Sequence, residues 1–263
     1  MRDINKAIEE HKQAVLNYGI KEKQLLGIFL YGSQNYGIET ENSDVDTKAI
    51  IIPTFEELLF SSMKIKELHL PNGEHCEILD IRHFISNLLK QNINFVETLF
   101  TKYYWINPFY QNLWNEFFIE PREKIARYDE NKTIIAACAQ AKHALKQSNE
   151  SKKYANALRI YQFITLYEKH LIPYKDCIYI YDEDNYFMKT KILSYKLNLN
   201  KPKSEEIKFL INEFEKIQNK YTDKFSLKEN KEELQKKKVI ENNLQKGAIR
   251  MVRALDNYDY INS

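Results

Sequence analysis

The spacing of apolar residues changes along the chain, from short runs in residues 1–120 to helical periods afterwards. In residues 3–18, apolar side chains recur at helical spacing between a capping residue, Asp3, and Gly19. Short apolar runs then predict strands, and segments that open with capping residues predict short helices. The predicted elements are a helix at 3–18, strands at 24–31 and 44–52, a helical turn at 33–36, a helix at 54–60, a hairpin of strands 64–70 and 74–79, and a helix at 81–91. This pattern predicts an α+β fold with a small mixed sheet and flanking helices.

After residue 120, the apolar spacing is helical for most of the remaining chain. An aromatic tract at 101–118 is interpreted as the joint between two halves. The predicted elements beyond it are helices at 132–147, 153–170, 204–221 and 231–257, with a brief extended piece within 171–184. We therefore predict two domains, an α+β domain at 1–120 and an all-helical domain at 121–263, each long enough to bury its own core.

Charge divides the chain at the same place. The formal net charge is only +2, but residues 1–120 carry 11 Lys and Arg against 17 Asp and Glu, whereas residues 121–263 carry 28 against 20. A basic helical half would suit the binding of phosphate groups. The alternative is that lysine is simply abundant in this sequence.

The cysteines and the apolar runs argue against several classes of protein. Cys76, Cys138 and Cys177 are far apart and form no Cys–X–X–Cys pattern, so neither a disulfide framework nor a structural zinc site is predicted. No apolar run approaches the ~20 residues needed to cross a bilayer, and the N-terminus lacks the apolar segment of a signal peptide. We expect a cytoplasmic protein with no membrane partner, and the sequence indicates no particular oligomeric state.

The strongest chemical signal lies between two predicted strands. Gly32 and Ser33 end the first strand, and ten residues separate Ser33 from Asp44. Asp44 and Asp46 flank one apolar residue, so on a strand both carboxylates project from the same face. Such a pair repels itself unless a cation lies between its members, and Mg²⁺ held by carboxylates and substrate phosphates is the usual solution. A sharp turn whose N–H groups bind an anion completes a layout suited to phosphoryl or nucleotidyl transfer.

Transfer with two metal ions usually needs a third carboxylate, and the strand after the hairpin offers two. Glu77 lies between apolar residues and faces the open side of the strand, so we choose it as the third ligand, with an exposed strand residue as the alternative. Asp80 is the reserve, because its place just before a predicted helix favours a role as N-cap. Lys48 would project from the same face of the strand as the Asp pair. It would either contact a phosphate or form an ion pair with the carboxylates.

In these residues, the chain resembles the DNA polymerase beta-like nucleotidyltransferase superfamily. The superfamily pattern, a hydrophobic–Gly–Ser turn followed by Asp–hydrophobic–Asp, is matched at residues 31–33 and 44–46. A closer similarity, over about residues 24–165, is to the RNA repair pathway DNA polymerase beta family of predicted nucleotidyltransferases. That similarity also includes Tyr36–Gly37, Ser43, an element at 92–100 in which Ile93 replaces a proline, and Lys152 and Arg159 on a later helix where Asn156 replaces a histidine.

The resemblance implies a role for each candidate residue. Gly32 and Ser33 would bind the β- and γ-phosphates of a nucleoside triphosphate (NTP), while the Asp pair would bind two Mg²⁺ ions, or Mn²⁺ in their place, and Glu77 would complete one of these metal sites. Contacts to the phosphates or the acceptor would come from three residues of the later helix, Lys152, Lys153 and Arg159. For these three the alternative is an ordinary basic helix surface. Glu97, within the 92–100 element, is expected to be a buried helix residue paired across the joint.

The leading hypothesis is a metal-dependent nucleotidyltransferase that moves NMP from an NTP to a hydroxyl group and releases pyrophosphate. The expected acceptor is RNA, either tRNA or an RNA end. A first alternative keeps the chemistry but changes the acceptor to a protein or small molecule, as in toxin-type and antibiotic-modifying relatives. A second is a non-catalytic nucleotide-binding or RNA-binding module, which the intact Ser33, Asp44 and Asp46 disfavour because an enzyme that has lost its activity has no need for a repulsive carboxylate pair.

Overall fold

A five-stranded mixed sheet forms the centre of the first half of the chain. The structure, a computed structural model, describes residues 2–41, 43–147, 151–179, 186–226 and 231–261. The strands are β1 (Leu25–Tyr31), β2 (Asp46–Ile51), β3 (Ile65–His69), β4 (His75–Asp80) and β5 (Tyr104–Ile106). Their order across the sheet is β3–β4–β2–β1–β5, and every neighbouring pair is antiparallel except β2 and β4, which are parallel.

Helices and turns of the first half connect the strands largely as the sequence predicts. They are α1 (Ile4–Asn17), α2 (Ser33–Tyr36), α3 (Phe55–Leu59), α4 (Ile81–Leu89), α5 (Ile93–Val96) and α6 (Gln111–Trp114), with 3-10 turns at Glu22–Gln24 and Glu97–Leu99 and a π-helical turn at Asn115–Ile119. Asp3 caps α1 by accepting hydrogen bonds from two backbone N–H groups. Thr54 and Glu57 form a reciprocal capping box at the start of α3. The predicted capping residues are therefore confirmed.

In the second half, every regular element that the structure describes is a helix. Its helices are α7 (Arg122–Ala126), α8 (Glu130–Gln147), α9 (Ser151–Tyr167), α10 (Tyr174–Ile178), α11 (Tyr186–Lys196), α12 (Ser204–Ser226) and α13 (Lys231–Ile261). The predicted extended piece within 171–184 is wrong for α10, which is a helical turn after Pro173, and residues 180–185 lie outside the described part. The fold is thus α+β, with a mixed sheet, flanking helices and a helical C-terminal portion, as predicted.

The two faces of the sheet pack against different partners. Ile28, Ala49 and Ile78 lie on the face covered by α1, in a small cluster with Ile8 and Val15. The opposite face buries Phe29, Ile50 and Leu79, among others, in a much larger cluster. This large cluster continues without interruption through Trp114 and Phe118 into the helical half, as far as Leu255 of α13. The aromatic tract at 101–118 therefore supplies shared core, and the boundary at residue 120 stays a prediction.

Two further predictions concern disulfide bonds and membrane-spanning helices. All three cysteines are buried and free of disulfides. Within the described ranges, none of the helices combines the length and the apolar character that crossing a bilayer requires.

Candidate active site

The turn after β1 has a backbone that only glycine readily adopts. Gly32 has φ 82° and ψ −157°, and it precedes the four-residue helix α2. Gly37 closes that helix in the left-handed conformation, with φ 71°. The first N–H groups of a helical turn have no partner within the turn, so this turn can direct N–H groups toward an anion. The predicted helical turn at 33–36 is confirmed.

The Asp pair lies beside this turn. Strand β2 begins at Asp46 rather than at Asp44, so Asp44 is an exposed residue just before the strand while Asp46 is half-buried. Val45 is fully buried behind them. A Cβ atom built on Gly32 would lie 3.2 Å from Oδ2 of Asp46. The backbone of the turn thus approaches the Asp46 carboxylate so closely that a side chain at position 32 would force the turn or the carboxylate to shift by a few tenths of an ångström.

The surroundings of the Asp pair disfavour the charged form of Asp46. Burial raises the pKa of Asp46, and the neighbouring Asp44 carboxylate raises it further. His75 and Lys152 oppose this by favouring the charged form. The structure therefore brings both carboxylates close enough to repel each other, and Lys152 of α9 close enough to attract one of them.

Glu77 is bound to Lys48. In the parallel pairing of β2 with β4, Lys48 lies opposite Glu77 and Asp46 lies opposite His75. Lys48 Nζ is 2.6 Å from Oε2 of Glu77 and 3.8 Å from the centroid of the Tyr31 ring. The Lys48 side chain is only 2% exposed, whereas that of Glu77 is 30% exposed. Glu77 therefore neutralises a buried ammonium group through Oε2. Its role as third metal ligand stays a prediction, and its other carboxylate oxygen is the one that could take that role.

We expect Glu77→Gln to lower the free energy of unfolding by about 1–3 kcal/mol, because it removes the carboxylate that pairs with the buried ammonium of Lys48. The double variant Lys48→Met/Glu77→Gln should recover most of that loss, since no unpaired charge remains. Urea unfolding of the two single variants and the double variant measures the coupling. Glu213→Gln, which breaks an exposed pair with Lys216, is the matched control and should change little. Strictly additive changes would contradict this description.

Asp80, the reserve ligand, lies at the opposite end of the sheet from the Asp pair. It pairs with Ile51, five positions along β4 from the residue opposite Asp46, which corresponds to roughly 16 Å along the strand. Its carboxylate caps α4 by accepting from the Arg82 N–H at 2.8 Å, and it also forms an ion pair with the Arg82 guanidinium. The structure thus gives Asp80 its alternative role as N-cap and does not bring it to the site.

The three basic residues of α9 have different surroundings. Lys152 is exposed and acts electrostatically on Asp46. Lys153 is the next residue, about 100° further round the helix, so the two ammonium groups leave the helix in different directions. Arg159 is buried, and its guanidinium carbon lies 3.9 Å from the centroid of the Tyr36 ring. Only Lys152 is thus placed to act directly at the Asp pair, while Arg159 packs behind α2.

Glu97 is buried beneath α2. Asn35 donates a long hydrogen bond of 3.4 Å to its Oε2 atom, and Oε1 has no hydrogen-bond partner. Burial raises the pKa of Glu97 to about 7, although the Arg159 guanidinium and a hydrogen bond from Tyr36 favour the charged form. The expectation of a buried, paired residue is met, with partners both on α2 and on α9.

This burial predicts a pH dependence of stability. Since the pKa of Glu97 is 4.5 in the unfolded chain and about 7 in the folded one, its contribution is most favourable below pH 4.5 and is lost as the pH rises toward 7. Glu97→Gln removes the titrating group. As the pH rises from 4.5 to 7, the free energy of unfolding of the variant should therefore increase by about 3 kcal/mol relative to that of wild type. Urea unfolding across this range tests it. For the exposed control Glu205→Gln, the curve of unfolding free energy against pH should run parallel to that of wild type. A parallel curve for Glu97→Gln would contradict the prediction.

Lys196 of α11 reaches the site from a distant part of the sequence. Its ammonium donates hydrogen bonds to the Ile38 carbonyl at 2.8 Å and to Oγ of Ser43 at 3.2 Å, on the loop that leads to the Asp pair. Burial, together with repulsion from Lys152, lowers the pKa of Lys196 to about 8. Sequence reasoning missed this residue, because the helix Tyr186–Lys196 was not predicted and no local motif marks the lysine.

Comparisons with known proteins leave the family open. No protein-family model matches the chain, and no curated protein sequence matches it. Among solved structures, the chain is similar to a nucleotidyltransferase-like protein from Exiguobacterium sibiricum 255-15, with a TM-score of 0.31 and 12% sequence identity over 96% of this chain and 78% of that one. At this TM-score and identity, the similarity assigns neither a family nor a function.

Proposed function

We propose that this chain is a metal-dependent nucleotidyltransferase that moves NMP from an NTP to a hydroxyl group, with RNA as the acceptor. The observation that carries the proposal is the close approach of the Gly32 backbone to Asp46, 3.2 Å from Oδ2 to the position of a missing Cβ. This approach puts a turn suited to binding anions directly beside a pair of carboxylates. Phosphoryl chemistry needs both features within the length of one triphosphate.

The donor atoms fit a hard divalent cation. Asp44 and Asp46 offer carboxylate oxygens, the ligands that Mg²⁺ and Mn²⁺ prefer. The raised pKa of Asp46 beside Asp44 means that a cation would relieve a repulsion already present in the folded chain. When bound, the cation supplies positive charge that stabilises the phosphoryl oxygens during transfer. We therefore propose Asp44 and Asp46 as its ligands.

The surrounding residues would bind and orient the nucleotide. Ser33 and the N–H groups of the turn would hold the terminal phosphates, and the ammonium groups of Lys152 and Lys196 would face the same anion. In the reaction, the acceptor hydroxyl oxygen forms a bond to the α-phosphorus, the bond from that phosphorus to the pyrophosphate oxygen breaks, and the hydroxyl proton passes to water. Pyrophosphate carries away the electron pair of the broken bond.

The test is transfer of an α-labelled NTP in the presence of Mg²⁺ to one of three offered acceptors: tRNA, protein from a cell lysate, and an aminoglycoside. The proposal predicts label on RNA and release of pyrophosphate. Label on protein or on the aminoglycoside would keep the chemistry and overturn the acceptor. NTP binding without any transfer would overturn the enzyme assignment in favour of a nucleotide-binding module.

Lys196→Met should raise the KM for the NTP about tenfold, because it removes a charge-assisted contact of roughly 1.4 kcal/mol to the triphosphate. The half-buried ammonium of Lys196 is held near 3 Å from two loop oxygens, so little ordering is needed before it meets an anion. Steady-state kinetics measures the effect, with the exposed Lys201→Met as control. An unchanged KM would mean that Lys196 only stabilises the loop and does not contact the NTP.

A further inference from the structure

A second group of metal-ligand side chains lies at the outer edge of the sheet. Glu67 and His69 on β3 and His75 on β4 each offer one ligand atom, and these atoms all lie within 4.8 Å of one another. The rings of His69 and His75 are 4.6 Å apart between centroids and meet edge to face, and His75 Nδ1 is 3.3 Å from Oε1 of Glu67. We propose that these three residues bind a divalent cation of borderline softness, for which Zn²⁺ is the best candidate.

The backbone of the hairpin brings the three ligands together. His69 lies directly opposite His75 across the two strands. The next pair toward the turn, Leu70 and Glu74, is hydrogen-bonded, since the Leu70 N–H donates to the Glu74 carbonyl at 2.9 Å. Hydrogen-bonded and non-hydrogen-bonded pairs alternate along an antiparallel ladder, so the His pair is of the non-hydrogen-bonded kind, where opposing side chains lie closest. Glu67, two residues before His69, projects from the same face. The arrangement thus follows from strand register.

The ligand set differs in chemistry from the Asp pair. Two imidazole nitrogens and one carboxylate oxygen suit Zn²⁺, and a site with three protein ligands leaves one position open for water or another ligand. Mg²⁺ prefers oxygen ligands and would favour the Asp pair instead. Glu67 and His69 are exposed and His75 is half-buried, so a cation can enter directly from solvent.

A cation bound at this hairpin site would affect the electrostatics of the neighbouring Asp pair. His75 lies opposite Asp46 in the pairing of β4 with β2, and the two side chains interact electrostatically. A cation on the hairpin would therefore add positive charge at the edge of the proposed phosphate site. The proposal goes beyond nucleotidyl transfer and does not rest on it, because the hairpin would bind Zn²⁺ whether or not the Asp pair is catalytic.

The test is a titration of the full chain with Zn²⁺ alone by calorimetry, and with Co²⁺ followed by its visible absorption. The variants are His69→Ala, His75→Ala and Asp46→Asn. The matched control is His170→Ala, which removes an exposed histidine that pairs with Glu130 at 3.2 Å. Circular dichroism checks that each variant remains folded.

His170→Ala should bind Zn²⁺ as wild type does, and Asp46→Asn only slightly more weakly because it removes a negative charge that interacts with His75, whereas His69→Ala and His75→Ala should each bind it at least about tenfold more weakly. The proposal is overturned if wild type binds no Zn²⁺, if the two hairpin variants bind as wild type does, or if His170→Ala loses as much affinity as they do. Loss of binding in Asp46→Asn alone would assign the cation to the Asp pair and also overturn it. The proposed transferase activity is measured separately, with Mg²⁺ and NTP.

Discussion

Asp46→Asn is expected to reduce nucleotidyl transfer about 10³-fold or more while leaving the chain fully folded. The carboxylate is one of two proposed ligands of the catalytic cation, and loss of several kcal/mol of transition-state stabilisation corresponds to a rate loss of this order. The asparagine side chain keeps the shape of the residue, including its close approach to the Gly32 backbone. Single-turnover transfer of an α-labelled NTP measures the effect.

The stability of the same variant is a second, independent readout. Burial and the Asp44 carboxylate both raise the pKa of Asp46, so the folded state disfavours its charge. Removing that charge should leave the free energy of unfolding in metal-free buffer unchanged or slightly higher. Asp256→Asn, on an exposed turn of α13, serves as the control for both readouts. Full activity in Asp46→Asn would refute the proposed function, whereas a marked loss of stability without metal would refute only the electrostatic description of the pair.

Local signals in the sequence were enough for much of the fold. Capping residues such as Asp3 and Thr54, and the turn at Gly73 between two apolar runs, marked their elements because each depends on neighbours within a few residues. The edge strand Tyr104–Ile106 was missed, since its three residues are too few to show alternation. What fixes it as a strand is antiparallel pairing with β1, which lies about 80 residues earlier in the chain.

The candidate site shows the same limit more sharply. The Gly–Ser turn and the Asp pair lie within one short segment, so sequence spacing could suggest that they meet. The partner of Glu77 depended instead on the parallel register between β2 and β4, which places Lys48 directly opposite it. Lys196 depends on how a distant helix packs against the loop at Ile38. Both contacts are set by tertiary structure, and no local pattern encodes them.

Gly32→Ala should impair both stability and activity, for two separable reasons. The φ of 82° strains any L-residue with a side chain, which should lower the free energy of unfolding by about 1–3 kcal/mol. The new Cβ would also lie 3.2 Å from Oδ2 of Asp46, closer than most Cβ contacts, so the carboxylate or the turn must move by a few tenths of an ångström. Because catalytic geometry tolerates little displacement, we expect transfer to fall by up to about 10²-fold.

Gly19→Ala separates these two effects. Gly19 also has a positive φ, of 104°, but a Cβ atom there would meet nothing within 4 Å. It should therefore lose stability by a similar amount, through backbone strain alone, and retain its activity at temperatures where it is folded. Urea unfolding and single-turnover transfer on both variants make the comparison. If Gly32→Ala transferred NMP as fast as Gly19→Ala, the close approach of the turn to Asp46 would have no catalytic importance, and the observation on which the proposed function rests would lose its force.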